Sequence, residues 1–360
     1  MRLLIAGGGT GGHLFPALAT ARAVRAEDPH GSILFVGTRR GIESRIMPRT
    51  GFPIRYITAR GIRRTGPINS ILAGLELPLA LVQSFAVIRE FRPTQVLGVG
   101  GFASGPTVLA AVLLRIPTAI QEQNSVMGTT NRILSRFVDR IYTSWEDTVP
   151  VPPAAKTLLT GNPVRADLLE GSRQTKEPGK LNVLIFGGSR GARSINESLA
   201  DNMTALAGLA DRIRVLHQTG LGAAEPMKTA YREAGLEAEV VEFIHEMGPA
   251  YRWADLVVCR SGAGSLAELT ALGIPAIVVP YPYAIGDHQA RNASVLERRN
   301  AVRIVPDEKL KNGALVREIQ TLGNEPNMLR TMAENSRKLG RPDAARTIAL
   351  DLLARERSRT

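Results

Sequence analysis

The chain has a single cysteine, Cys259, among 360 residues. One thiol closes no internal disulfide and builds no cysteine-cluster metal site, which suits a reducing compartment. Aromatic side chains make up 5% of the residues, and no stretch interleaves them with basic ones. The usual footprint of nucleic-acid binding is therefore missing, and no nucleic-acid partner is expected. No two aspartates stand at D-x-D spacing, so a divalent metal between paired aspartates is not expected. No apolar run reaches the roughly 20 residues of a spanning helix. The chain opens directly on the apolar Leu3-Leu4-Ile5-Ala6, without basic segment or cleavage site, so no export signal is expected.

What is present begins with charge. Lys and Arg number 45 against 33 Asp and Glu, a net +12, which favours an anionic membrane surface or phosphorylated substrates. Hydrophobic residues at 44% and charged residues at 22% are ordinary for globular protein. The length suits two domains of roughly 150–200 residues.

Gly7-Gly8-Gly9-Thr10-Gly11-Gly12-His13 lies between the apolar run at 3–6 and an alanine-rich helical stretch. A second glycine turn, 187–192, follows Val183-Leu184-Ile185-Phe186 about half a chain later. Glycines at a strand-to-helix corner let the backbone approach a ligand, and the helix N-terminus offers N–H groups and a positive dipole end. Two such corners, each opening one half of the chain, predict twin nucleotide-fold domains facing one cleft. Gly7, Gly9 and Gly12 fit the dinucleotide pattern G-x-G-x-x-G. Yet the second strand ends Phe35-Val36-Gly37-Thr38, with no acid for a ribose hydroxyl; Arg39 and Arg40 leave a 2′-phosphate open. His13 stands where a Walker loop needs lysine, so that motif is excluded.

Strand-like and helix-like runs alternate throughout, the pattern of parallel sheets with crossover helices. Strands are predicted near 2–6, 33–37, 95–99, 118–121 and 140–143, then near 182–186, 213–217, 239–242, 256–259 and 276–279. Helices are predicted near 16–27, 42–49, 70–91, 106–114 and 127–136. The Pro-rich 149–153 and Gly161-Asn162-Pro163 read as a linker, giving domains 1–161 and 162–342, with a helix at 343–356 crossing back onto the first.

The helix predicted at 70–91 carries an apolar stripe, including Leu75, Leu79 and Phe85, broken by Glu76, Pro78 and Gln83 and flanked by Arg63, Arg64 and Arg89. It is either a plain crossover helix or a monotopic surface dipping into an anionic bilayer. Two segments stand where parallel strands should end, the ligand edge of such sheets. They are 98–106 and Gln121-Glu122-Gln123-Asn124. In the second half Cys259-Arg260-Ser261-Gly262-Ala263-Gly264-Ser265-Leu266-Ala267-Glu268 runs from strand end through small residues into a helix. Glu268 is either a first-turn dipole partner or an acceptor for two ribose hydroxyls. Asp287-His288-Gln289 adds polar groups to the same edge.

Taken in order, GGGTGGHLFPALA at 7–19, GGFASGP at 100–106, QEQNSVMGTTNR at 121–132, GNPVR at 161–165, FGGSRGA at 186–192, HQTG at 217–220, CRSGAGSLAE at 259–268 and DHQARNA at 287–293 resemble the MurG family. These are the N-acetylglucosaminyltransferases that add the second sugar to the lipid-linked peptidoglycan precursor. One departure is Gly264-Ser265, where the family pattern carries a bulkier residue and often threonine.

The resemblance implies an α/β glycosyltransferase-B fold, with two Rossmann-like domains and a cleft between them. It implies inverting transfer from UDP-N-acetylglucosamine to the 4-hydroxyl of undecaprenyl-diphosphoryl-N-acetylmuramoyl-pentapeptide, without cofactor. The setting would be peripheral, on the cytoplasmic face of the bacterial plasma membrane, among the cell-wall machinery. On that resemblance Ser189 and Arg165 bind the diphosphate region, Ile244 meets uracil through its backbone and Glu268 holds the ribose. Ala263, Gly264, Ser265 and Gln289 face the sugar, Leu266 and Ala267 belong to the same substrate-binding set, and Thr10, Gly11, Gly12 and Asn124 complete it from the first domain. Two groups are candidates for the base that inverting transfer needs, His13 and Glu122; His13 has the better ordinary pKa. Two other readings keep the nucleotide site. One is a different UDP-sugar enzyme of this fold, a 2-epimerase or a glycolipid glycosyltransferase; the other is a non-catalytic binder of nucleotide sugar or anionic lipid.

Overall fold

The computed structural model describes residues 1–59, 67–171, 179–188 and 191–358; for 67–75 and 285 it describes backbone alone. The chain forms two units, Met1–Arg165 with Pro342–Thr360, and Ala166–Arg341.

The first unit is built on seven parallel strands: β1 (Arg2–Ala6), β2 (Ser32–Gly37), β3 (Ile54–Tyr56), β4 (Gln95–Gly98), β5 (Thr118–Glu122), β6 (Arg140–Thr143) and β7 (Thr157–Leu159). Their order is β3-β2-β1-β4-β5-β6-β7, so the winding reverses beside β1. Successive side chains on a strand point to opposite faces, and both faces here are covered. Leu3 and Ile5 join one core with Ile33, Phe35 and Leu97, while Leu4 and Ala6 join the other with Leu34, Val36 and Val96. That two-sided burial explains why these strands read as continuous apolar runs.

Among the described residues the strands are connected by α1 (Gly11–Glu27), α2 (Glu43–Ile46), α3 (Pro67–Phe91), α4 (Ser104–Leu113) and α5 (Thr129–Leu134). α1 shares its face of the sheet with the C-terminal helix, Ala344–Arg357, whose Ile348, Ala349 and Leu352 are fully buried there. Asp351 of that helix accepts hydrogen bonds from Arg140 at 2.7 and 3.0 Å and from the Tyr142 hydroxyl at 2.8 Å. Burial and that carboxylate push the Tyr142 hydroxyl well above its usual pKa.

The second unit repeats the plan with β8 (Leu181–Phe186), β9 (Ile213–Gln218), β10 (Glu237–Val241), β11 (Leu256–Cys259), β12 (Ala276–Val278) and β13 (Val302–Ile304), in the order β10-β9-β8-β11-β12-β13. Its helices are α6 (Ala166–Leu169), α7 (Arg193–Asp201), α8 (Met203–Ala207), α9 (Ala224–Glu233), α10 (Met247–Trp253), α11 (Ala263–Leu272), α12 (His288–Glu297), α13 (Ala314–Asn324) and α14 (Pro326–Leu339).

Three strands depart from the sequence reading. β3, β7 and β13 are three residues each, too short for a periodic signal, and β7 lies inside the stretch read as linker. α1 begins five residues before its expected start, taking Gly11, Gly12 and His13 into its first turn.

Candidate active site

In the first unit the carboxyl edge of the sheet is formed by loops that interlock. The N–H of Gly8 donates to the Gly100 carbonyl at 3.2 Å, tying the turn after β1 to the turn after β4. Beneath them lies Glu43, the first residue of α2 and 1% exposed. Its Oε2 accepts from the Gly9 N–H at 2.7 Å, and its Oε1 accepts from the Thr38 N–H at 2.8 Å and the Thr38 hydroxyl at 2.9 Å. A Cβ on Gly8 would stand 2.6 Å from the Glu43 carboxyl carbon, so that glycine is required for the carboxylate to pass. Part of the hydrogen-bonding capacity of the first glycine turn is therefore filled from inside the protein. The sequence reading missed Glu43, which looks there like an ordinary first-turn acid.

His13 lies in the first turn of α1, beyond the exposed N-cap Thr10. Its ring packs over Gly100, where a Cβ would come within 2.9 Å of Nδ1. Nδ1 sits 3.3 Å from the Gln123 side-chain oxygen. Gln123 follows β5 and is buried, its amide nitrogen donating to the Val99 carbonyl at 2.8 Å and to the Gln121 side-chain oxygen at 2.6 Å. Gln121 passes its own amide N–H to Asn162 at 3.0 Å.

Glu122, the second candidate base, is turned the other way. Its Oε1 accepts from the N–H and side chain of Asn124 at 3.0 and 3.3 Å, and its Oε2 from the Gly128 N–H at 3.0 Å and Asn131 at 2.9 Å. Burial at 1% exposure raises its pKa, against the lowering effect of those donors. Four donors fill the acceptor capacity of a carboxylate. This geometry makes Glu122 the brace of the 122–131 loop and corrects its reading as a base. Asn124 is half-buried beside it. Arg165 closes the first unit, its guanidinium 5.7 Å from the centre of the Phe15 ring on α1.

In the second unit, the turn after β8 leads into α7, with Gly188 and Gly191 both at positive φ. Ser189 lies outside the described residues. α11 opens from Gly262, and a Cβ at either Gly262 or Gly264 would meet nothing within 4 Å. Room for a ligand is thus left at this helix N-terminus, where Ala263, Gly264 and Ser265 form the first turn and Leu266 and Ala267 are buried behind it. Glu268 follows on the same helix, half-buried, with the Tyr251 hydroxyl donating to its Oε2 at 2.8 Å. That tyrosine, on α10, carried no signal in the sequence. Burial, with the Glu268 charge, pushes the Cys259 thiol up.

Gln289 is fixed twice: its side-chain oxygen accepts from the Tyr281 N–H at 2.9 Å, and its carbonyl accepts from the Ser261 hydroxyl at 2.9 Å. Ile244, in the loop after β10, lines a cavity of about 410 Å³ together with Phe243, Glu246 and Ala250. His217 belongs to the core. Its Nδ1 lies 3.1 Å from the Tyr231 hydroxyl and its Nε2 3.2 Å from Asn196 Oδ1, and burial lowers its pKa to about 3. Among the described residues no group of three or more His, Cys, Asp or Glu side chains could hold a metal ion.

The apolar stripe of α3 divides. Ala80, Ser84 and Ile88, four residues apart, are buried. Phe85 is half-buried and packs on that core, which corrects its reading as a membrane-facing residue. Leu79 is 48% exposed and Val82 65%. Arg63, Arg64 and the Leu75 side chain lie outside the described residues. No described helix is long and apolar enough to cross a membrane.

Two doubly wound parallel units, each with glycine turns at the carboxyl edge, give the two-domain glycosyltransferase-B fold. The glycosyltransferase family 28 N-terminal domain matches residues 3–143 and the family 28 C-terminal domain residues 182–348. The UDP-N-acetylglucosamine–N-acetylmuramyl-(pentapeptide) pyrophosphoryl-undecaprenol N-acetylglucosamine transferase of Syntrophus aciditrophicus (strain SB) is 45% identical over 355 residues, covering 98% of both chains. The enzyme of the same name from Geobacter sulfurreducens is 44% identical, covering 99% of each. The crystal structure of Acinetobacter baumannii MurG superimposes with a TM-score of 0.80 at 32% identity, covering 99% of this chain and 100% of that one. The chain belongs to this MurG family of N-acetylglucosamine transferases. A UDP-GlcNAc 2-epimerase from Neisseria meningitidis shares the fold at 18% identity and a TM-score of 0.69, with 98% and 100% covered.

Proposed function

We propose that this protein transfers N-acetylglucosamine from UDP-N-acetylglucosamine to the 4-hydroxyl of lipid-linked N-acetylmuramoyl-pentapeptide, inverting the anomeric carbon. The observation that carries the reading is 45% identity sustained over 98% of both chains with a transferase of that name. Likeness to the epimerase is a likeness of fold, and brings no activity with it.

The chemistry divides between the units. The acceptor oxygen attacks C1 of the donor sugar, the bond from C1 to the diphosphate oxygen breaks, and UDP leaves with the bonding pair. His13 takes the hydroxyl proton as general base. The turn at 187–192, with its helix N-terminus and the charge of Arg165, receives the developing negative charge of the diphosphate. Glu268, held by Tyr251, accepts hydrogen bonds from the ribose hydroxyls. The open first turn of α11 and Gln289 take the sugar, and Ile244 the uracil. Thr10, Gly11, Gly12 and Asn124 meet the acceptor, whose lipid tail keeps the protein on the cytoplasmic face of the membrane, among other proteins of wall synthesis. The exposed apolar side of α3 is the surface that reaches the bilayer.

Turnover of radiolabelled UDP-N-acetylglucosamine with a short-chain lipid acceptor tests the reading. One added N-acetylhexosamine on the acceptor, with release of UDP, is the expected product, and the rate should persist in EDTA. Epimerisation of the donor without acceptor, or binding without turnover, would refute it.

A further inference from the structure

We infer that Gln123 is a positioning residue that sets which nitrogen of His13 carries the proton. The inference rests on the reading of His13 as the base. It follows from a chain of hydrogen bonds in which each partner's direction is dictated by the one before.

The Val99 carbonyl only accepts, and the Gln123 amide lies 2.8 Å from it, so the end of the amide facing Val99 is the nitrogen. The second hydrogen of that nitrogen goes to Gln121 Oε1 at 2.6 Å. The Gln121 atom that receives it must be the oxygen, which leaves the Gln121 nitrogen to donate to Asn162 Oδ1 at 3.0 Å. Both hydrogens of Gln123 are thereby committed, and the end facing His13 is the oxygen, 3.3 Å from Nδ1. A side-chain amide oxygen only accepts. Neutral His13 therefore carries its proton on Nδ1 and its lone pair on Nε2. A free imidazole favours the other arrangement, so the protein is working against the intrinsic preference.

Gln123 is also well placed to hold that geometry. It is 1% exposed, and the Trp145 indole N–H donates to its carbonyl at 3.1 Å. Gly100 leaves the space that the His13 ring occupies beside it. The basic nitrogen is thus Nε2, the one turned away from the buried glutamine pair. Use of an amide in place of a carboxylate has a further consequence. It orients the ring without placing a negative charge beside it.

Nitrogen-15 NMR of the full-length protein labelled at histidine tests this directly. The chain has 5 histidines, and His13→Gln assigns the one in question. Above its pKa, His13 should show a protonated Nδ1 and an unprotonated Nε2. In Gln123→Met, which keeps the length and removes the acceptor, the Nε2–H form should return. The kcat should then fall by about fivefold, the worth of one neutral hydrogen bond, with KM for the nucleotide sugar unchanged. A wild-type spectrum showing Nε2–H at His13 overturns the proposal without any variant. So does a Gln123→Met protein with unaltered tautomer and unaltered kcat. If the tautomer is as stated but His13→Gln keeps its kcat, the assignment to Gln123 stands and the base is another group.

Discussion

Glu268 shows how much one side chain in the second unit is asked to do. Its sequence position allowed a helix-dipole role, but the Tyr251 hydroxyl 2.8 Å from Oε2 holds the carboxylate in one orientation, as a bidentate acceptor needs. Removing a charged acceptor costs about 2–3 kcal/mol, so Glu268→Ala should raise the donor KM roughly 30- to 140-fold. Selectivity for uridine over 2′-deoxyuridine nucleotides should vanish with it. Calorimetry showing unchanged UDP affinity would return Glu268 to a purely structural part. His217 supplies a prediction of the opposite kind, about stability. Its pKa is about 3 in the folded protein against an ordinary value of 6.5. The unfolded chain therefore binds a proton between those values that the folded chain does not, and stability falls as pH drops through that window. The slope from this one group is about 1.4 kcal/mol per pH unit below 6.5. Urea midpoints measured from pH 7 to 4 should show it, and His217→Gln should lose that share of the slope whatever its starting stability. An unaltered slope in the variant would mean that the ring is not held neutral.

At the scale of elements, the glycine turn after β1 depends on α2, a helix of four residues. The turn's permissive backbone has to be held in one shape, and the Glu43 carboxylate does this by accepting from Gly9 on one oxygen and Thr38 on the other. Glu43→Gln keeps the shape but sets an amide N–H against one of those donors, at a cost of about 1–3 kcal/mol. We expect a lower melting temperature, faster amide exchange at Gly9 and reduced kcat, with UDP affinity unchanged because the donor is proposed to bind the other unit. Unchanged exchange at Gly9 would show that the carboxylate is not the anchor. The long buried strands and the glycine turns were legible in the sequence because apolar runs such as Leu3-Leu4-Ile5-Ala6 are local signals. Glu43, Gln123 and Tyr251 were not legible as anchors, since each acts on a residue 34, 110 or 17 positions away. β7 escaped because three residues between a proline-rich stretch and Gly161 carry no period.

For the whole molecule, chain order and assembly differ. The first unit is completed by a helix that follows the second in the chain, whose Ile348 and Leu352 fill its core, so the unit nearest the N-terminus closes only after the second has been made. That unit also carries the surface proposed for membrane attachment. Side chains on α3 separate by helical geometry: 80, 84 and 88 face the sheet, and positions 79 and 82 lie on the far side with exposures of 48% and 65%. Leu77, at 45%, extends the exposed set, and Arg89 is exposed on the same helix. Fully burying a large aliphatic side chain is worth about 1.5–3 kcal/mol, and each basic residue close to an anionic surface adds about 1 kcal/mol. Three partly exposed apolar side chains, with Arg89 on the same helix, suit the reversible attachment proposed, without a spanning helix. Replacing Leu77, Leu79 and Val82 with serine should therefore abolish sedimentation with phosphatidylglycerol-containing vesicles. Phe85→Ser should instead lower the melting temperature, because Phe85 packs on the core. The triple variant should keep its melting temperature and its rate on a soluble, short-chain acceptor, while losing rate on acceptor embedded in vesicles. Sedimentation that survives the three substitutions would place the attachment surface elsewhere on the unit.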